Sequence, residues 1–369
     1  MPETIKVLHV VGRMDRGGTE TLIMNLLRTV DRSRFQFDIV EQTQDCCDYD
    51  AEIEALGSRI FRCPHISVRN LKAYRLWWRQ FFAEHPEYGI VHGHSRGSAP
   101  VYLDEAKRAG RITVAHCHNN SHGKGVRGFV RYVWQLPLRK IADYNFACSY
   151  DSGVSQYGKD GKFEVIKNGI PSESFAWNPS VKEEVRGELG LDQCFVVGNV
   201  ARFEPQKNHT LLLKIFKEIK TLRPDAKLML VGQGTLEQEI CDQAQELGIL
   251  PDIVFTGVRS DVNRMYQAMD AFVLPSLFEG LGIVNIEAQT SGLPCFVSST
   301  VAPEAKVTDL LQYISLDETP EFWAKQILAG QIPAESRQNQ REKIITAGFD
   351  IQTTTQRLSD FYMEVLKHE

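Results

Sequence analysis

Short apolar runs and amphipathic stretches take turns along the whole chain. Residues 5–11 (IKVLHVV), 35–40, 58–61, 89–95, 111–119, 142–149 and 162–166 in the first half read as strands, as do 195–200, 227–231, 253–256, 271–274 and 295–297 in the second. Their nearly continuous apolar character is that of strands covered on both faces in a parallel sheet. After the first run, Leu22, Ile23, Leu26 and Leu27 share one helical face. Further helices are expected at 49–56, 210–222, 261–269 and 283–291. Gly292 suits the left-handed residue past the end of the last of these, and Pro294 leads into the next strand. Leu358, Phe361, Tyr362 and Leu366 recur at helical intervals over residues 350–367. Strands alternating with helices predict an α/β protein with parallel sheets. At 369 residues there is chain enough for two domains. The turn-rich segment 168–193, beginning NGIPSESFAWNPSVKEE, reads as the linker between them.

Candidate chemistry gathers in the loops that follow the strands. In residues 271–299, AFVLPSLFEGLGIVNIEAQTSGLPCFVSS, a strand, a loop, a helix and a second strand succeed one another. Glu279, Gly280, Leu281 and Gly282 form the loop. Its glycines free the backbone to approach a ligand at a helix start, where unpaired N–H groups and the positive dipole end suit a phosphate. Glu279 and Glu287, in a Glu-x7-Glu spacing, can place one carboxylate at each end of an elongated polar ligand and accept hydrogen bonds from sugar hydroxyls. A capped helix with one exposed glutamate explains the same letters, and EGxG alone does not choose.

Gly17 and Gly18 open the first helix in a similar way, without the GxGxxG dinucleotide fingerprint. Arg202 and Lys207, five residues apart in another strand-to-helix loop, can reach one pyrophosphate, or can be surface charge. Two strand ends carry His-x-His, His92 with His94 and His116 with His118. Alternate strand residues share a face, so each pair can point into the crevice at the carboxyl end of the sheet. Zinc is the weaker reading of them, because no carboxylate or thiolate of recognisable spacing completes a ligand set. Asp48-Tyr49-Asp50 matches a DxD metal motif, yet its position before a helix suits capping better.

The stretch PSLFEGLGIVNIEAQTSGLP resembles the donor-sugar signature of the retaining glycosyltransferases of family 4. The likeness extends over nearly the whole chain. It implies the GT-B fold: two facing Rossmann-like α/β domains with parallel sheets, and a last helix crossing back to the first domain. That expectation divides the chain into 1–170 with 350–369, binding the acceptor, and 171–349, binding the donor. By resemblance, Glu279 contacts the donor sugar and Gly280, Leu281, Gly282 and Ile283 offer backbone to the sugar and phosphate. Glu287 binds the ribose, Arg202 and Lys207 clamp the diphosphate, and Val258 lies where the base binds. Gly17 and Gly18 face the phosphates from the first domain. AHCHNN supplies the histidine near the reacting carbon, His118 with His116 as the other register, while His92 is read as structural. Ala201 departs from the glycine common in the family.

Composition narrows the partners. With 43% hydrophobic and 24% charged residues this is an ordinary soluble composition, no apolar run approaches the roughly 20 residues of a bilayer span, and MPETIKVLHVV opens on a strand rather than a signal peptide. A cytoplasmic protein is expected. Eight cysteines show no CxxC pair, which suits reduced, mostly structural thiols. Residues 1–170 hold 24 Lys and Arg against 19 Asp and Glu, while the remainder holds 18 against 28. The basic half contains two aromatic-rich stretches, RNLKAYRLWWRQFF (69–82) and KGVRGFVRYVWQLPLRK (124–140). Each fits an interfacial helix on an anionic membrane surface, or a core helix with a solvated outer face. A pI near 6.1 argues against nucleic acid.

The resulting expectation is a retaining, metal-independent hexosyltransferase without a cofactor. It would move a sugar from a nucleotide-diphosphate donor, UDP-linked by resemblance, to a saccharide or lipid-linked acceptor in capsule or exopolysaccharide synthesis, in the cytoplasm or peripherally on the inner membrane face. A UDP-sugar epimerase of the same fold would need no acceptor. A non-catalytic sugar-nucleotide scaffold would release the donor intact.

Overall fold

The computed structural model of the chain describes residues 4–118, 130, 132–279 and 281–367. The chain divides into two compact units, Met1–Ile170 with Asp350–Glu369, and Pro171–Phe349. The first is built on β1 (Ile5–Val11), β2 (Phe35–Glu41), β3 (Ile60–Arg62), β4 (Ile90–Gly93), β5 (Ile112–Cys117), β6 (Tyr144–Ala147) and β7 (Glu164–Val165). They form a sheet of order β3-β2-β1-β4-β5-β6-β7, parallel throughout. The second unit has β8 (Phe195–Val200), β9 (Ala226–Val231), β10 (Ile253–Gly257), β11 (Ala271–Leu274), β12 (Cys295–Ser298) and β13 (Leu311–Ile314), in the order β10-β9-β8-β11-β12-β13, again parallel.

Both sheets wind outward in two directions from one strand pair, β1 with β4 and β8 with β11. The crevice outside the carboxyl ends of such a pair is where open α/β sheets bind ligands. The loops singled out above leave these strands. Gly17 and Gly18 follow β1, Arg202 to Lys207 follow β8, and Glu279 to Gly282 follow β11.

Helices cover both faces of the first sheet. On one, Val7, Val11, Ile90 and Val114 pack with Leu22, Ile23, Leu26 and Leu27 of the Gly18–Thr29 helix, and with Ile351, Leu358, Tyr362 and Val365 of the last helix, Ile351–Val365. The terminal segment thus completes the core of the unit in which the chain begins. On the other face, Leu8, Val10 and Val91 meet Tyr74, Trp78, Phe81 and Phe82.

One expectation is corrected and one open alternative is decided. Residues 168–193 are no continuous linker, because Pro179–Leu189 is a helix. Asn178 Oδ1 accepts from Ser180 N–H at 3.1 Å, Pro179 opens the helix, and Gly190 closes it at φ +67°. The letters read as turn formers are start and stop signals. Of the two readings left open for 69–82, the core helix with a solvated outer face is the one observed. In Leu71–Glu84 the aromatic face is core, and Arg75 and Arg79 both bind Glu105, at 2.6 and 2.7 Å. Of the second basic stretch, residues 124–129 and 131 lie outside the described residues. Among the described residues no helix is long and apolar enough to cross a membrane.

Candidate functional site

The second unit brings its candidate residues together through the pairing of β11 with β8, which sets the loops after those strands side by side. The loop after β11 is fixed from two directions. The Ser276 carbonyl accepts from the hydroxyls of Ser298 (2.7 Å) and Thr300 (2.8 Å) at the end of β12. On the other side, Asn208 Nδ2 donates to the Pro275 carbonyl (3.1 Å), Leu277 N–H to the Gln206 carbonyl (2.8 Å), and Gln206 Nε2 to the Phe278 carbonyl (2.9 Å). Asn208 is, among the described residues, the one non-glycine at positive φ, +56°. Asparagine tolerates that geometry and here turns the chain into the His209–Leu222 helix.

Lys207 Nζ forms a close ion pair with Glu279 Oε2, with only 16% and 11% of the two side chains exposed. Arg202 is exposed, and its guanidinium has no hydrogen bond or ion pair among the described residues. It lines a pocket of about 430 Å³ with Lys207, Gln206, Leu277 and Phe278. Within one loop pair there is a cation without a partner and a second cation held by a carboxylate. An anionic ligand can take Lys207 and release Glu279 to accept from hydroxyls.

Leu281 is buried, and Gly282 caps the Ile283–Thr290 helix at φ +58°. Gly280 lies outside the described residues. Glu287 sits one turn into that helix, 7% exposed, and accepts from the Tyr266 hydroxyl at 2.8 Å. Burial pushes its carboxyl up to about 7, with the Tyr266 hydrogen bond pulling the other way. Val258, 44% exposed, follows β10 at the same end of the sheet.

Sequence reasoning missed Gln289. It is fully buried, donates to the Asn285 and Ala305 carbonyls (2.8 Å each), and accepts from Thr308 N–H (2.9 Å) and Thr308 Oγ1 (3.0 Å). It ties the helix to the loop after β12, and because Asn285, Glu287 and Thr290 make the same helix polar elsewhere, no local signal set Gln289 apart.

In the first unit, Gly17 is the N-cap of the Gly18–Thr29 helix. A Cβ on Gly17 would stand 2.4 Å from Glu20 Oε2, so the glycine makes room for that carboxylate. Of the DxD aspartates, Asp48 braces this loop, and the expected capping is not seen, since the Asp50–Ala55 helix has Tyr49 as its N-cap with no side-chain cap bond. Asp48 accepts from Arg16 N–H at 3.2 Å, and Asp50 pairs with Arg62 and accepts from Cys47 N–H at 2.9 Å.

The two His-x-His pairs meet each other, together with a histidine not singled out from sequence, His9. His94 Nδ1 lies 2.9 Å from His118 Nε2, His94 Nε2 lies 3.0 Å from His9 Nδ1, and His92 Nε2 lies 3.1 Å from His116 Nδ1. His92 Nδ1 is 2.5 Å from the Tyr362 hydroxyl, so His92 is an internal anchor. Burial lowers all five, His9 to about 3, His118 to about 4, and His92, His94 and His116 well below the usual value. His116 is 3% exposed, whereas His118, just past β5, is partly accessible. Of the two registers, His118 is the more exposed.

Two doubly wound parallel units, with cations and helix starts at a switch point, are the GT-B architecture that the resemblance implied. Residues 16–174 match the family described as Glycosyltransferase Family 4, and residues 181–345 that described as Glycosyl transferases group 1. The chain is 33% identical to the "Putative glycosyltransferase EpsF" of Bacillus subtilis (strain 168), covering 97% of this chain and 96% of that one. It is 26% identical to the UDP-Gal:alpha-D-GlcNAc-diphosphoundecaprenol alpha-1,3-galactosyltransferase of Escherichia coli, over 98% and 97% of the two chains. The fold is shared with Anabaena Alr3699/HepE, solved in complex with UDP and glucose, at a TM-score of 0.79 and 19% identity over 97% and 99%. The chain belongs to glycosyltransferase family 4, and it is a glycosyltransferase that draws on a nucleotide-sugar donor.

Proposed function

We propose that the chain is a retaining, metal-independent transferase that moves a hexose from a UDP-sugar to a saccharide or lipid-linked acceptor in surface-polysaccharide synthesis. The observation that carries this is the Lys207–Glu279 pair beside the unpartnered Arg202 at the β8/β11 switch point. Charge builds on the departing diphosphate as the sugar leaves. Arg202, Lys207 and the N–H groups at the start of the Ile283–Thr290 helix are donors already in place for it. Removing one preorganised donor of this kind costs roughly 2.7–4 kcal/mol of barrier. Glu279, relieved of Lys207, accepts from sugar hydroxyls, and Glu287 accepts from the ribose. Gly17, Gly18 and His118 are the contributions assigned to the first unit.

In the step, the bond from the anomeric carbon to the phosphate oxygen breaks while the bond to the acceptor oxygen forms on the same face. The acceptor hydroxyl proton passes to the departing phosphate oxygen, so configuration is kept. The double-displacement route needs a carboxylate nucleophile at the reacting carbon. Glu279, engaged with Lys207 and placed to bind hydroxyls, is not assigned that role.

The Escherichia coli relative is named for UDP-Gal and a diphosphoundecaprenol acceptor. That supports the UDP donor and a lipid-linked acceptor, and through it a place at the inner membrane face. Arg69 and Lys72, exposed at the start of the Leu71–Glu84 helix, are the cations left to meet such a surface.

Thermal melts with a panel of nucleotides and nucleotide sugars, without metal, test the donor site. A ligand at ~100 times its dissociation constant adds about 2.7 kcal/mol. UDP or a UDP-sugar is expected to raise the melting temperature of wild type, and Lys207→Ala and Glu287→Ala to lose most of the rise. No shift from any nucleotide, with the fold intact, would sink the reading. The anomeric configuration of the product, read by NMR, tests retention.

A further inference from the structure

We propose that His94, His116 and His118 form a binding site for a divalent transition-metal ion of the zinc class, held by imidazole nitrogens at the carboxyl end of the first sheet. The placement follows from register. His9 pairs with His92 across β1 and β4, and Gly93 with Ala115 across β4 and β5, so side chains two residues apart on three adjacent strands converge on one face. One ring nitrogen from each of His94, His116 and His118 lies within 4.8 Å of one from each of the others. Ring centroids are 4.1 Å apart for His116 and His118, and 5.1 Å for His94 and His118.

Three features distinguish this from a polar patch in a core. First, nitrogens are left over. His116 Nε2 and His118 Nδ1 are buried without a well-formed hydrogen bond among the described residues, His116 lying near the Ile166 backbone and His118 near Asn168, and a metal–ligand bond removes that cost at His116. Second, the outer nitrogens are held. His94 Nε2 abuts His9 Nδ1, and His116 Nδ1 abuts His92 Nε2, which Tyr362 anchors on its far side. Metal-binding histidines nearly always donate their second N–H to a fixed acceptor, which sets tautomer and ring orientation. With an ion on His116 Nε2, the proton resides on Nδ1 and donates to His92 Nε2, while the His92 proton donates to the Tyr362 oxygen. Third, the spacing is close to that of ligands. Nitrogens ~2.0–2.1 Å from a tetrahedral ion stand about 3.3–3.4 Å apart. His94 Nδ1 and His118 Nε2, at 2.9 Å, need open by only a few tenths of an ångström.

Neutral imidazole is the ligating state. An all-imidazole set suits zinc, cobalt, nickel or copper and is a poor match for magnesium. The partly accessible side at His118 leaves a fourth position for water. The site is argued from the first unit alone and shares His118 with the donor reading; the ion takes no part in the transfer step, which stays metal-independent.

The test is titration of the full chain, freed of metal by chelator, with Co²⁺, Zn²⁺ and Mg²⁺ in the absence of nucleotide. One equivalent of Co²⁺ is expected to give the intense visible bands of a tetrahedral ion, Zn²⁺ to displace it, and Mg²⁺ to have no effect. His116→Leu is expected to lower Co²⁺ affinity by at least ~100-fold, with folding checked by circular dichroism. His118→Ala, at a less buried position, gives the same answer if the first variant misfolds. His85→Ala, outside the cluster, keeps wild-type binding. Absence of stoichiometric Co²⁺ uptake, an octahedral spectrum, or tetrahedral bands that survive a folded His118→Ala variant would each overturn the proposal.

Discussion

Glu287 shows how far one residue's chemistry departs from its letter. A carboxyl raised from its usual 4.5 to about 7 by burial is substantially protonated at neutral pH. Only the ionised form accepts hydrogen bonds from both hydroxyls of a ribose. Affinity for a UDP-sugar, whose diphosphate does not itself titrate near neutrality, should therefore rise about tenfold from pH 6 to pH 8. Glu287→Gln should bind weakly with a flat profile, and calorimetry at three pH values decides. The same shift has a stability consequence of opposite sense. Because the folded value lies above the unfolded one, the native state holds the extra proton between about 4.5 and 7, and stability falls as pH rises across that window. The loss is at most about 3 kcal/mol and persists above it. Urea melts at pH 5 and pH 8 should show this contribution in wild type and not in Glu287→Gln. The spacing of Glu287 from Glu279 was legible in the sequence. Its partner was not, since Tyr266 precedes it by 21 residues in a different helix and reaches it only through the fold.

At the scale of the element, the Ile283–Thr290 helix and the loop that feeds it behave as one device. Gly282 holds φ +58°, and a Cβ there would come within 2.8 Å of Asn285 Nδ2 and 2.9 Å of Glu279 Cγ. Alanine must bear the left-handed backbone, roughly 1–2 kcal/mol, and also push Glu279 aside. Gly282→Ala should thus lower donor affinity by more than its modest loss of melting temperature accounts for, and equal losses would count against the loop's role in binding. Strand runs such as 195–200 and 271–274 were readable because buried parallel strands leave continuous apolar letters. The Pro179–Leu189 helix was obscured because Asn178, Pro179 and Gly190 serve turns and helix ends alike. The basic stretch at 69–82 left two readings open for a further reason: its acidic partners Asp104 and Glu105 lie on another helix, and no local pattern announces pairing across about 30 residues. The convergence of His9 with both His-x-His pairs depends likewise on strand order, β1-β4-β5, which periodicity does not contain.

At the scale of the molecule, the chain closes its first unit with its last helix, and one glycine permits the approach. Residues 170 and 350 form a single parallel bridge, Ile351 N–H donates to the Ile170 carbonyl at 2.9 Å, and Thr354 Oγ1 reaches the Lys167 carbonyl at 3.2 Å. The helical periodicity of 350–367 was plain in the sequence, but its docking site was an inference from family resemblance, since contacts nearly two hundred residues apart leave no local trace. At Gly169 a Cβ would stand 2.7 Å from Ile351 Cα and 2.9 Å from its nitrogen. Both are backbone atoms, so no rotamer change relieves the clash and the helix itself must shift. Ile351, Leu358, Tyr362 and Val365 then lose part of their packing against the Gly18–Thr29 helix. Overpacking of this kind typically costs 1–3 kcal/mol. Gly169→Ala should reduce amide-exchange protection in β1, β2, the Gly18–Thr29 helix and the Ile351–Val365 helix. Protection in β8, β9, β11 and β12 should stay at wild-type levels, because one face of those strands is buried in a core made wholly of residues 195–328 and the strands belong to the other unit. Loss of protection spread evenly over both sheets would mean that the two cores do not fold as separate units, and no loss in the first would mean that the terminal helix is not part of its core.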